Sequence, residues 1–167
     1  SVTHVLLPTT ATSWALPTSE QLRVAAKTLG LTLVPAYYEG PTDAASMRLS
    51  LAPFVGQKDF ALFNAGALNI ERDRTLSELA LANGWPSIGG QREQAAAGFL
   101  LSYGADLADV FRRSAEYIDR VLRGAKPGEL PVQQPTLFDF VINKKTADAL
   151  GLTIPLGLWV QATEILE

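Results

Sequence analysis

The feature that most constrains this chain is a repeated alternation of short β-prone runs with helical segments that stop at glycine. Residues 3–7, 31–37, 59–63, 85–88 and 99–103 are apolar or β-branched runs of strand length. The first is closed by Pro8, and the second carries Pro35, which costs a ladder bond and so points to a sheet edge. Between them lie helical segments. Residues 17–29 present Leu22, Ala25, Ala26 and Leu29 on one face and stop at Gly30. A second starts from Thr42 or Asp43, turns Ala45, Leu49 and Ala52 inward, and ends at Pro53 and Gly56. Residues 69–83 face in through Leu76, Leu79 and Ala80 and stop at Gly84, and a short helix over 91–97 stops at Gly98. Strand–helix alternation predicts an α/β fold, a three-layer sandwich around a mostly parallel, flavodoxin-like sheet of about five strands in the order 2-1-3-4-5.

The last third begins with the clearest helix. Asp106 can cap it, and Asp109 adds negative charge to the first turn. Leu107, Phe111, Ser114, Ala115, Ile118 and Leu122 form one stripe, with Val110 and Val121 beside it. Glu116 with Arg120 and Asp119 with Arg123 are acid-before-base pairs, and Gly124 ends the helix. Such a stripe is expected to cover its own sheet or to pair with another copy. Pro127, Pro131 and Pro135 then recur every fourth residue, predicting an extended connector. A strand over 137–142 and a short helix over 146–150, capped by Thr146, follow before Pro155 and a final apolar segment.

Composition narrows the chemistry. The 167 residues suffice for a domain with a real core, and 47% hydrophobic against 19% charged residues is globular. The net charge of −3 is spread along the chain without a basic stripe, so nucleic acid is not an expected partner. With no cysteine and one histidine, thiol catalysis, disulfides and multi-histidine metal sites are excluded. His4 begins the first strand, at the end of the sheet opposite the ligand loops, and is expected as a partly buried imidazole without a catalytic role. No P-loop, GxGxxG or nucleophile elbow is present. The chain lacks an initiator Met and opens almost directly into a strand, which points to a processed or excised piece of a longer chain.

Ligands of such sheets bind beyond the carboxyl ends of the strands, near the switch in strand order. The loops expected there offer Thr9, Thr10, Thr12, Ser13 and Trp14 after strand one, and Asn64, Ala65, Gly66 and Leu68 after strand three. Arg92 follows strand four, and Tyr103 belongs to strand five. Hydroxyls, an amide, an open backbone and a guanidinium make a binding rim rather than a catalytic set. The alternative is a flavodoxin-like protein, since PTTATSW resembles the hydroxyl-rich loop that grips FMN. This loop lacks the usual glycine, and Pro17 interrupts the helix start.

The segment Leu101-Ser-Tyr-Gly, the run FRRSAEYIDRVLRGAKPGELPVQQPTLFDFVINKKTADALGLTIP and the closing ATEILE resemble the C-terminal part of ABC-transporter substrate-binding proteins. The branch is the type I periplasmic-binding fold that includes binders of tryptophan and other aromatic amino acids. The resemblance implies an exported, non-enzymatic receptor, without a cofactor, that hands a small solute such as an amino acid to an ABC permease. It implies that residues 1–104 are one ligand-binding lobe of a two-lobed protein, with the solute held between the lobes. Residues 105–167 would hold the helix, connector, strand and short helix that cross to the other lobe in relatives. The resemblance implies that the N-terminal lobe of such proteins lies outside this chain, with a homodimer that exchanges C-terminal segments as the alternative partner.

Overall fold

A computed structural model describes all 167 residues. The sheet is built outward from β1 (His4–Thr9). Parallel to it on one side runs β2 (Thr32–Tyr37), and on the other run β3 (Phe60–Asn64), β4 (Ser87–Gly89) and β5 (Leu101–Ala105). The expected order 2-1-3-4-5 is present, with the Pro35 strand at the edge. Two further strands make seven rather than about five. Antiparallel to β5 lies β6 (Phe138–Asn143), and β7 (Glu164–Leu166) closes the far edge. The final apolar segment therefore ends as a strand. β1 also runs through Pro8 instead of stopping there. β3 pairs with it only as far as Leu6, so the missing N–H of Pro8 falls beyond that ladder.

One face of the sheet is covered by α3 (Ala44–Leu51), α4 (Ile70–Asn83) and α5 (Arg92–Ala96). The core lies beneath them, where Leu6, Leu62, Met47, Leu76, Trp85 and Phe99 are fully buried. Leu76 and Ala80 of α4 face inward as expected. α3 is rotated relative to expectation: Met47, Ser50 and Leu51 point in, and Ala45, Leu49 and Ala52 are exposed. Ser50 disguises the true face, because its hydroxyl donates to the Met47 carbonyl at 3.0 Å and so can be buried. After β1 come α1 (Ala11–Trp14), a single turn inside the expected loop, and α2 (Pro17–Thr28). After β6 come α7 (Lys144–Ala149) and α8 (Leu156–Gln161). Asn143, not Thr146, caps α7, accepting from Thr146 N at 3.0 Å. The Thr146 hydroxyl instead donates to the Gly98 carbonyl. No helix is long and apolar enough to cross a membrane.

Residues 106–137 leave and rejoin the sheet at one corner. The neck is closed by β5–β6 pairing, with Ala105 opposite Phe138, and by Asp106 N donating to the Leu137 carbonyl at 3.0 Å. Beyond it stands α6 (Leu107–Leu122), capped by Asp106, which accepts from Asp109 N at 3.0 Å. The expectation that α6 covers its own sheet is not met. Phe111 is 72% exposed, Ile118 60% and Leu122 82%. The other side of α6 meets the connector: Arg113 donates to the Gln134 carbonyl and to Gln133 Oε1, and Tyr117 donates to the Pro131 carbonyl. On its wet face the Asp119–Arg123 pair forms at 2.9 Å, whereas Glu116 turns back to Arg112 and Arg120 lies over the Tyr117 ring.

Gly104 has a packing reason. A Cβ there would stand 1.9 Å from the Gly90 carbonyl oxygen, so β5 touches the loop after β4 backbone to backbone. Gly104→Ala is expected to lower stability by about 1–3 kcal/mol or more, because the obstacle is a backbone atom that cannot swing away. Gly157→Ala is the control. It adds a methyl in open space within α8 and should raise stability by about 0.5–1 kcal/mol. Chemical unfolding of both variants checks the pair.

Candidate functional site

β1 and β3 are neighbours, so the loops that leave their carboxyl ends stand side by side at the point where strand order reverses. The first loop is tightened by its own hydroxyls. Thr10 caps α1, its Oγ1 accepting from Ser13 N at 3.1 Å and donating to Ser13 Oγ at 3.0 Å. Thr9 is buried at the strand end and donates to its neighbour's carbonyl. Thr12 and Ser13 are exposed. Trp14 is half-buried under Arg23, whose guanidinium carbon lies 4.6 Å from the ring centre, with Nη1 donating to the Trp14 carbonyl.

The second loop is held from below by residues that sequence reasoning passed over. Asn64 is buried: its Nδ2 donates to Asp73 Oδ1 at 2.8 Å, and its Oδ1 accepts from Gly66 N at 3.1 Å. Asp73 Oδ2 accepts from Asn69 N at 3.1 Å, while Asn69 Oδ1 caps α4 by accepting from Arg72 N at 2.9 Å. The Arg72 guanidinium donates to Asp73 Oδ1 from Nε at 3.1 Å and from Nη2 at 3.0 Å, and also to the Ala67 carbonyl. Arg72 is 6% exposed and Asp73 0%. Arg72 and Asp73 look like a solvated helix start in sequence. The available signal was Asn69 as an N-cap with an acid four residues on. Ala65, Gly66 and Leu68 remain exposed on top.

Arg92 and Tyr103 do not join these loops. Arg92 opens α5 and grips Glu164 of β7 with two 2.6 Å hydrogen bonds, so its guanidinium points toward the far edge of the sheet. That pairing with Glu164 raises its pKa further. Ser102 is paired with Gly89 in register and is buried, which turns Tyr103 to the opposite face. There Tyr103 stacks on Phe138 at 5.8 Å with its edge toward Phe140, and remains exposed. His4 lies at the other end of β1, bonded to Asp59 at 2.9 Å and stacked on Phe60.

A small acidic cavity lies at the neck, lined by Arg92, Glu93, Asp106 and Asp139. Desolvation, and then Asp106, push the Asp139 carboxyl above its ordinary 3.8; Arg92 opposes this, and Glu164 and Glu93 add to it. Because the folded value exceeds the unfolded one, the folded chain holds more proton in the window just above about pH 4. This group's contribution therefore falls as pH rises through that window and is most unfavourable above it. Asp139→Asn is expected to raise the melting temperature at pH 7 relative to the parent and to flatten the decline above about pH 4. Thermal unfolding across that range decides, and parallel profiles for parent and variant would contradict it.

The sequence model of the family described as ABC transporter substrate binding protein matches residues 2–166. No curated protein matches the chain. Among solved structures, a conserved domain protein from Vibrio cholerae O1 biovar El Tor superposes with a TM-score of 0.85 at 24% identity, over 99% of this chain and 55% of that one. An ABC domain from Streptococcus pneumoniae in complex with L-Trp gives 0.80 at 23% identity, over 99% and 56%. A substrate-binding protein with adhesive properties from Clostridium difficile, in a ligand-free open structure, gives 0.66 at 18% identity, over 100% and 55%. The chain thus spans a little over half the length of these proteins and shares their fold. Matched from its first strand to its last, it belongs to the ABC transporter substrate-binding protein family.

Proposed function

We propose that this chain is the solute-binding half of an exported receptor that delivers a small solute, an amino acid foremost, to an ABC permease without catalysing a reaction. The observation that carries this reading is the pair of adjoining loops at the β1/β3 switch. Thr12 offers an exposed hydroxyl, and Ala65, Gly66 and Leu68 offer an open surface over a rigid base. The L-Trp complex of a protein with the same fold supports an aromatic amino acid as the first solute to try. The FMN alternative loses ground in the same loop, since Thr10 and Ser13 already bond each other.

A groove of about 630 Å³ lies elsewhere. It runs between α6 and the connector and is lined by Val110, Tyr117, Ile118, Val121, Leu130 and Pro131. With Phe111 and Leu122 exposed nearby, we read it as the docking face for the other lobe, and a second copy of the chain is the competing occupant.

Two experiments test this. A calorimetric screen of free L-amino acids, with FMN alongside, is expected to find weak binding of an aromatic amino acid and none of FMN. Half a cleft leaves much of a ligand wet, so affinity should be low. Flavin uptake with no amino-acid binding would overturn the reading. Replacing Phe111, Ile118 and Leu122 together by Ser should leave stability within about 0.5 kcal/mol per site, because these side chains bury little in the chain alone. The same variant should abolish association with the complementary lobe, or with a second copy. A large loss of melting temperature would mean that α6 packs at home after all.

A further inference from the structure

We infer that the buried Arg72–Asp73 pair is a positioning device that sets the shape of the Asn64–Asn69 loop, and through it the solute rim; this rests on the solute-binding reading above. Two adjacent charges, nearly excluded from water at the start of a helix, are a poor source of stability compared with apolar residues of the same volume. Yet apart from the bonds between them, every side-chain bond they make is directed at one loop. Asp73 takes Asn64 Nδ2 at the loop's beginning and Asn69 N at its end, one on each carboxylate oxygen. Arg72 takes the Ala67 carbonyl in the middle. Asn64, oriented by Asp73, returns its Oδ1 to Gly66 N.

Gly66 completes the arrangement. A side chain there would press on Asn64 Oδ1 at 3.1 Å and on Arg72 Nη1 and Nη2 at 3.2 and 3.3 Å, so the loop backbone lies directly against the guanidinium. The loop is therefore held at its start, middle and end by one ion pair and one amide, leaving Ala65, Gly66 and Leu68 displayed on a fixed base. A rim that is ordered before binding spends less of its interaction energy on ordering.

Amide hydrogen exchange on the 167-residue chain tests this without any solute. In the double variant Arg72→Met/Asp73→Leu, the amides of Gly66 and Asn69 should exchange about tenfold faster or more, the size expected when a charge-assisted bond is removed. The core amide of Leu62, bonded to the Pro86 carbonyl, should keep its rate. Affinity for L-tryptophan as probe should fall by about tenfold or more. Asp73→Asn keeps an acceptor without the charge and should move the loop amides in the same direction by a smaller factor, which keeps the test usable if the double variant fails to fold. Unchanged Gly66 and Asn69 rates would overturn the inference. So would acceleration shared equally by Leu62, which marks a purely structural pair, or faster loop exchange at unchanged L-tryptophan affinity. Faster loop exchange in a chain whose parent form also ignores L-tryptophan upholds the positioning and removes the solute reading instead.

Discussion

The antiparallel pairing of β5 with β6 is the constraint on which the rest of this molecule depends. Five registered pairs, from Leu101 with Ile142 to Ala105 with Phe138, bring the chain back to the sheet after a long excursion. Without them residues 106–137 would have no neck, β7 would have no partner, and Arg92 would have no Glu164 to grip. A parallel doubly wound sheet normally sends its last helix back across its own face. Here the return strand is antiparallel and adjacent, so both ends of the excursion stand at one corner and α6 is carried away from the sheet. The apolar stripe on α6 stays wet for that reason, and not for want of amphipathic design.

Two kinds of surface result, and they differ in physics. The arm is apolar, open and held to its connector by polar contacts from α6. The loops after β1 and β3 are instead fixed by their own internal hydrogen bonds, which hold their shape before anything binds. The chain belongs to the ABC transporter substrate-binding protein family and shares its fold with proteins nearly twice as long; on the reading proposed above, the loops would face a solute and the arm another lobe.

Much of this was readable in the residues because it is written in local chemistry. Pro35 placed β2 at the edge, the Asp106 cap and Gly124 stop bounded α6, and Gly84 and Gly98 ended their helices with positive φ. What escaped was set by tertiary partners. The inward face of α3 runs through Ser50, whose hydroxyl is satisfied at home, and so looks polar in sequence. Asn143 took the cap expected of Thr146 because Thr146 is engaged by Gly98 across the sheet. Arg92 reads as a free base until Glu164, far away in sequence, is placed opposite it. Arg72 and Asp73 carry no local sign of burial, which comes only when the loop folds over them. The glycine of the Ser-Tyr-Gly motif was visible as a motif, while its reason, the Gly90 carbonyl, was not.

On the proposed reading the solute meets this lobe at the β1/β3 loops and not in the groove on the arm. Amide chemical-shift mapping during titration with L-tryptophan tests it most directly, because it reads weak binding residue by residue. Shifts are expected to gather on residues 10–14 and 64–68, with α6 and its connector silent. Shifts gathered instead on Val110, Tyr117 and Leu130 would contradict it.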